Sequence, residues 1–226
     1  GNRAMIKPSE FTPATSALLA EMIAEAYDPK EVDIFDGGPE VGQAFSSLPF
    51  DHMIFTGATS IARHILTAAA RNLVPVTLEL GGKSPTIVMP DADLTIAAQG
   101  AANAIFFNQG QVCTAGSRLF VQKGIYERVV QGVADLASSM TLGSGFEQST
   151  QIAPLISARH QQRVQNYIDV GRQQGGRMLA GEGARPEQGY FVRPTVFADV
   201  APDARIMREE IFGPVVVATP FDTEAQ

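Results

Sequence analysis

Four stretches of the chain carry residue types that could do chemistry. The single thiol, Cys113, closes the run Phe106-Phe107-Asn108-Gln109-Gly110-Gln111-Val112-Cys113, just past a glycine-containing turn. A thiolate is a strong nucleophile near neutral pH and adds to carbonyl carbon better than a hydroxyl does. The plainer reading is a buried cysteine serving as a small apolar side chain. Glu79 lies in Val76-Thr77-Leu78-Glu79-Leu80-Gly81-Gly82, just before a double-glycine turn. Facing an apolar site, such a carboxylate has a raised pKa and can act as a base near pH 7. Against this stands a solvated or ion-paired Glu at a strand edge. Ile54-Phe55-Thr56-Gly57-Ala58-Thr59-Ser60 reads as a strand running into a helix, where N–H groups and the positive dipole end suit an anion such as a pyrophosphate. It has one glycine where the usual dinucleotide fingerprint has three, so a plain turn capped by Thr56, Thr59 or Ser60 stays open. Lys7-Pro8-Ser9-Glu10 follows another short strand. An acidic residue there can accept from both hydroxyls of a ribose, or it is a solvated loop charge.

The elements that must hold these residues alternate. Ala4 to Lys7 is a short apolar run ending at Pro8. Thr12-Pro13 supplies a cap and a first-turn proline, and Leu18, Leu19, Met22, Ile23 and Ala26 follow at helical spacing. Strands are expected at 32–35, 52–56, 76–80, 86–89, 118–122 and 215–219. Helices are expected at 39–48, 60–71, 94–107, 125–138 and 157–174. Residues 143–150 read as a Gly- and Ser-rich loop, and 175–194 as turns with short strands. Strand-helix alternation of this kind is the signature of an α/β fold with a parallel sheet and crossover helices. The expected domain boundary falls just after Gly81-Gly82, giving domains 1–82 and 83–226.

Composition narrows the function classes. With 226 residues, 45% hydrophobic and 18% charged, the chain can bury a real core as one large or two small domains. A formal net charge of -7 without a basic cluster argues against nucleic acid as partner. Apolar runs are too short to span a bilayer, and no charged-then-apolar leader opens the chain, so a cytoplasmic location is expected. One Cys excludes an internal disulfide, and three scattered His make a Cys/His zinc site improbable. The chain opens on Gly1-Asn2-Arg3 and reads as a piece of a longer protein.

Taken together the stretches are far more specific than any one alone. Glu79-Leu80-Gly81-Gly82-Lys83-Ser84-Pro85, then Phe107-Asn108-Gln109-Gly110-Gln111-Val112-Cys113, then Glu209-Glu210-Ile211-Phe212-Gly213-Pro214-Val215 resemble the aldehyde dehydrogenase superfamily in order and spacing. Lys7-Pro8-Ser9-Glu10 and Phe55-Thr56-Gly57 fit as well. The resemblance implies part of a Rossmann-like cofactor domain, then part of a catalytic α/β domain beginning near Lys83. It implies NAD as cofactor, with NADP possible, and a small aldehyde as substrate. Cys113 would be the nucleophile and Glu79 the general base. Lys7 and Glu10 would hold the adenosine ribose, Gly57 and Ala58 the pyrophosphate turn, Glu210 the nicotinamide ribose, and Phe212 the nicotinamide ring. At Ala58 the chain departs from the family's usual Ser, which removes one hydroxyl contact to phosphate. The family's proline-tryptophan-asparagine-phenylalanine stretch, whose asparagine supplies half the oxyanion hole, would lie upstream of Gly1. The full-length protein would be a homo-oligomer. Leu48-Pro49-Phe50-Asp51-His52 resembles the coniferyl aldehyde branch, and Cys113-Thr114-Ala115-Gly116-Ser117-Arg118 the phenylacetaldehyde branch, which points to an aromatic aldehyde. A non-catalytic module derived from the family, or a hydrolase using the same Cys and Glu without cofactor, are the alternatives. The Lys7, Glu10 and Glu210 set speaks against the second.

Overall fold

Val215-Val216-Val217-Ala218 is an unbroken apolar run, as a strand covered on both faces requires. A computed structural model describes residues 1–225, and this run opens its strand β9 (Val215–Phe221). β9 is the middle of five strands ordered β5 (Pro85–Val88), β6 (Arg118–Gln122), β9, β8 (Thr195–Ala198) and β7 (Arg177–Ala180). Neighbours are parallel except β7 and β8, which are antiparallel. Successive strand residues point to opposite faces. Val216 and Ala218 therefore enter one core with α4 (Leu94–Phe106) and α5 (Tyr126–Ser139). Val215 and Val217 enter a second with α6 (Ala158–Gln173) and α7 (Arg205–Arg208). β6 and β8 alternate likewise, with Leu119, Val121, Val196 and Ala198 in the first core and Phe197 in the second.

These elements make up one of two compact units, which begins at Gly81; the other is Gly1–Leu80. The first unit holds two parallel strand pairs. β1 (Ala4–Ile6) pairs with β2 (Val32–Ile34) across α1 (Pro13–Ala26). After α2 (Pro39–Ser46), β3 (Met53–Gly57) pairs with β4 (Val76–Leu80) across α3 (Thr59–Ala70). Its core is small: Met53, Ala69 and Val74, packed by Phe50, Ile65 and Val76. Among the described residues no helix is long and apolar enough to cross a membrane.

The expected α/β class is the one observed, and most expected elements lie within a residue or two of their places. Three local readings need correction. Thr12 stands at the N-cap of α1 but makes no side-chain cap; its hydroxyl turns back to donate to the Ser9 carbonyl, 3.3 Å away. Of the apolar helical series, Ile23 is buried while Leu18 and Met22 are exposed. None of Thr56, Thr59 and Ser60 caps α3, whose N-cap is Ala58. Two elements were not anticipated, β8 and α7. Both follow a turn-rich stretch and are too short for periodicity to reveal them.

Gly171 shows how tightly the second core closes. A Cβ there would lie 2.8 Å from Ile206 Cδ1 and 2.9 Å from Phe197 Cζ, and both side chains are fully buried. Alanine is a better helix former than glycine by about 1 kcal/mol, but overpacking a filled core costs roughly 1–3 kcal/mol. Gly171→Ala is therefore expected to lower the denaturation midpoint, and adding Phe197→Leu to recover part of the loss. A midpoint raised by Gly171→Ala alone would show that the core has room.

Candidate active site

Three segments of the second unit lead into neighbouring parallel strands. Gly81–Ser84 enters β5, Cys113–Ser117 enters β6, and Glu210–Pro214 enters β9. Because β5, β6 and β9 are adjacent and parallel, all three segments lie at one edge of the sheet. Backbone hydrogen bonds tie them: Arg118 N donates to Ser84 O at 3.2 Å and Val217 N to Ser117 O at 3.0 Å.

Cys113 sits in a turn and is exposed, so it is not the buried apolar cysteine of the competing reading. α4, capped by Asp93 accepting from Thr95 N and Ile96 N, delivers the chain into a tight 3-10 turn at Phe107–Gly110. There Asn108 and Gln109 both take left-handed φ, 48° and 56°, and Gly110 has φ 69°. A Cβ on Gly110 would collide with the Gly213 carbonyl oxygen, so only glycine lets the two backbones touch. The turn before Cys113 is thus laid directly on the segment holding Glu210 and Phe212.

That segment is itself strained. Phe212 has φ 61°, a conformation that costs a bulky residue roughly 1–3 kcal/mol and persists only where surroundings impose it. Glu210 Oε1 accepts from Gly82 N at 3.2 Å. A Cβ on Gly81 would collide with the same carboxylate, so the double glycine makes room for Glu210. Lys83 Nζ is buried and makes no hydrogen bond among the described residues. Burial pulls its pKa down to about 7, the Arg118 guanidinium adding to the fall and Glu210 opposing it. The backbone carbonyl of Lys83 accepts from Arg118 Nε at 2.6 Å, which brings that guanidinium close.

In the first unit, Lys7 Nζ and Glu10 Oε2 pair at 3.2 Å just after β1. Gly57 ends β3 and Ala58 begins the turn into α3. Glu79 lies in β4 opposite Thr56 and is exposed, on the same strand face as Thr77. His52 Nε2 is 2.9 Å from Thr77 Oγ1 on that face. The structure thus brings Lys7 to Glu10 in one unit, and Glu210, Phe212 and the Cys113 turn together in the other. Lys83, Gly213 and α6 also serve the second group. Their contacts are non-local; Lys83 and Gly213 fall inside the motifs quoted above, while nothing local in the sequence marks the part played by α6.

The comparisons agree with this architecture. The Aldehyde dehydrogenase family matches residues 1–226, and the chain belongs to that family. It is 46% identical over 227 residues to a probable coniferyl aldehyde dehydrogenase of Caulobacter vibrioides, covering 99% of this chain and 46% of the relative. It is 45% identical over 231 residues to the phenylacetaldehyde dehydrogenase of Pseudomonas fluorescens, again 46% of that protein's length. The NAD+ complex of an aldehyde dehydrogenase from Bacillus cereus superposes with a TM-score of 0.94 at 44% identity, covering 99% of this chain and 46% of that one. The chain therefore spans a little under half the length of these relatives.

Lys83 makes stability depend on pH in a defined direction. Its folded pKa is depressed, so from about 7 up to 10.5 the unfolded chain holds the extra proton and stability rises with pH. Below that window the charged, buried ammonium penalises the fold. Lys83→Met is expected to raise the denaturation midpoint near pH 7, by an amount equivalent to a few kcal/mol at most, and to flatten the rise toward pH 10. Denaturant titrations across that range check this. An unchanged slope would mean that Lys83 titrates normally.

Proposed function

We propose that the complete protein carrying this chain oxidises an aldehyde to a carboxylic acid with NAD, using Cys113 as nucleophile and Glu79 as general base. The observation that carries the reading is an exposed lone thiol on a turn held against the Glu210–Phe212 segment, in a chain of this family. Cys113 thiolate attacks the carbonyl carbon, forming a C–S bond and leaving negative charge on oxygen. The Cys113 backbone N–H donates to that oxyanion. NAD, when bound, supplies the acceptor for the hydride that leaves the same carbon. The product on Cys113 is then a thioester. Glu79 takes a proton from water, the hydroxide oxygen adds to the acyl carbon, and the thiolate departs with release of carboxylate.

The residues present suit the cofactor. Glu10 accepts from the adenosine ribose hydroxyls, with Lys7 paired beside it, and a 2′-phosphate would meet the Glu10 charge, so NAD is favoured over NADP. Gly57 and Ala58 offer the α3 N-terminus to the pyrophosphate. Glu210 takes the nicotinamide ribose and Phe212 flanks the ring. An aromatic aldehyde is the proposed substrate class, supported by the names of the coniferyl aldehyde and phenylacetaldehyde relatives. A cytoplasmic homo-oligomer is the proposed state of the complete protein.

Cys113→Ala in the complete protein is expected to abolish both NADH formation and cofactor-independent ester hydrolysis. Survival of more than a small fraction of either activity would sink the assignment. Glu79→Gln keeps the side chain's shape but cannot take the proton. A pre-steady-state burst of NADH should then persist while steady turnover falls about 10²-fold or more. Disappearance of the burst itself would mean that Glu79 acts on the thiol instead.

A further inference from the structure

The left-handed Phe212 is held by one face of α6. His160 Nε2 lies 2.6 Å from Phe212 O. A carbonyl oxygen only accepts, so Nε2 must carry the proton. One turn along, Arg163 Nη2 donates to Glu210 O at 2.8 Å. A turn beyond, the Tyr167 hydroxyl donates to Glu209 Oε2 at 2.7 Å. Arg205 Nε and Nη2 reach the two oxygens of that same carboxylate at 3.0 and 2.8 Å. Residues three and four apart share a helix face, so 160, 163 and 167 form one row. Beside the row, a Cβ on Gly213 would lie 2.6 Å from Val164 Cγ2. Residues 209, 210, 212 and 213 are each tied to this helix. The His160 and Phe212 rings meet edge-on with centroids 6.0 Å apart. Burial, with Arg163 and Arg159 adding to it, holds the His160 pKa below its ordinary value against the raising effect of the Phe212 bond. Near pH 7 the ring is therefore a neutral donor.

We infer that α6 is the element that positions Glu210 and Phe212 for cofactor use, and that His160 is a positioning residue acting through the Phe212 carbonyl. The inference rests on the cofactor-binding roles proposed for Glu210 and Phe212. Neither the hydrogen bond nor the strain it holds is visible in any motif: His160 lies 52 residues from its acceptor. Without the donor, the Phe212 peptide is free to relax from its left-handed conformation, and the Glu210 carboxylate two residues earlier loses its fixed approach.

The test is made on the complete protein with three variants: His160→Leu, which removes the donor; His160→Gln, which keeps an N–H; and Glu210→Gln. His160→Leu is expected to raise KM for NAD about five- to tenfold, the loss of one ordinary hydrogen bond, with cofactor-independent ester hydrolysis within about twofold of the parent. His160→Gln should bring KM back to within about twofold of the parent. Glu210→Gln should raise KM for NAD by itself. If Glu210→Gln leaves KM unchanged, the reading of the segment as a cofactor site fails and the inference falls with it. If Glu210→Gln raises KM but His160→Leu does not, only the inference is overturned. Parallel loss of ester hydrolysis in His160→Leu, or failure of Gln to rescue, would overturn it as well, since a merely structural histidine would behave that way.

Discussion

Gly110 and Gly213 touch backbone to backbone, and the placement of the Cys113 turn against the Glu210–Phe212 segment depends on that contact. No side chain fits at Gly110, because its Cβ would collide with the Gly213 carbonyl oxygen. The contact fixes the turn before Cys113 against the loop that carries Glu210 and Phe212. In the proposed function Cys113 is the nucleophile and Glu210 with Phe212 the cofactor grip, and two such groups have to be set with respect to each other to a fraction of an ångström. Here the reference is backbone on backbone rather than one flexible side chain on another.

The sheet makes that contact possible. β5, β6 and β9 are adjacent and parallel, so the segments entering them share one edge. The strands are anchored by two separate cores, one under α4 and α5 and one under α6 and α7. The second core does double duty. The same helix α6 that buries Val164 and Ile168 presents His160, Arg163 and Tyr167 to the Glu209–Gly213 segment. Packing of the helix and placement of the segment are thus one arrangement. The left-handed Phe212 is the strained part, and Gly213 is the residue small enough to let Val164 close on it.

Much of this was legible in the sequence. The strand at 215–219 was expected, and the Gly81-Gly82, Gly110 and Gly213 positions fell inside the motifs that pointed to aldehyde dehydrogenase. Cys113 could be singled out because it is the only thiol. What could not be read depends on contacts distant in sequence. His160 reads as one polar residue among many on a helix, and its acceptor lies 52 residues on. Lys83 reads as a lysine in a turn, yet its Nζ is buried. β8 was hidden because Thr195–Ala198 is four residues long, behind a run of Gly and Pro. The α1 reading erred differently: helical spacing of Leu18 and Met22 predicts a covered face, but coverage depends on what packs there.

On the proposed function, Glu210 and Phe212 form a preset grip for the nicotinamide half of the cofactor, in the same unit as Cys113. A crystal structure of the complete protein bound to NAD measures this directly. The Glu210 carboxylate is expected within hydrogen-bonding distance of the nicotinamide ribose hydroxyls, with Phe212 still left-handed and the Gly110–Gly213 contact kept. A ribose held by other residues, with Glu210 still turned to the Gly82 N–H, would contradict it.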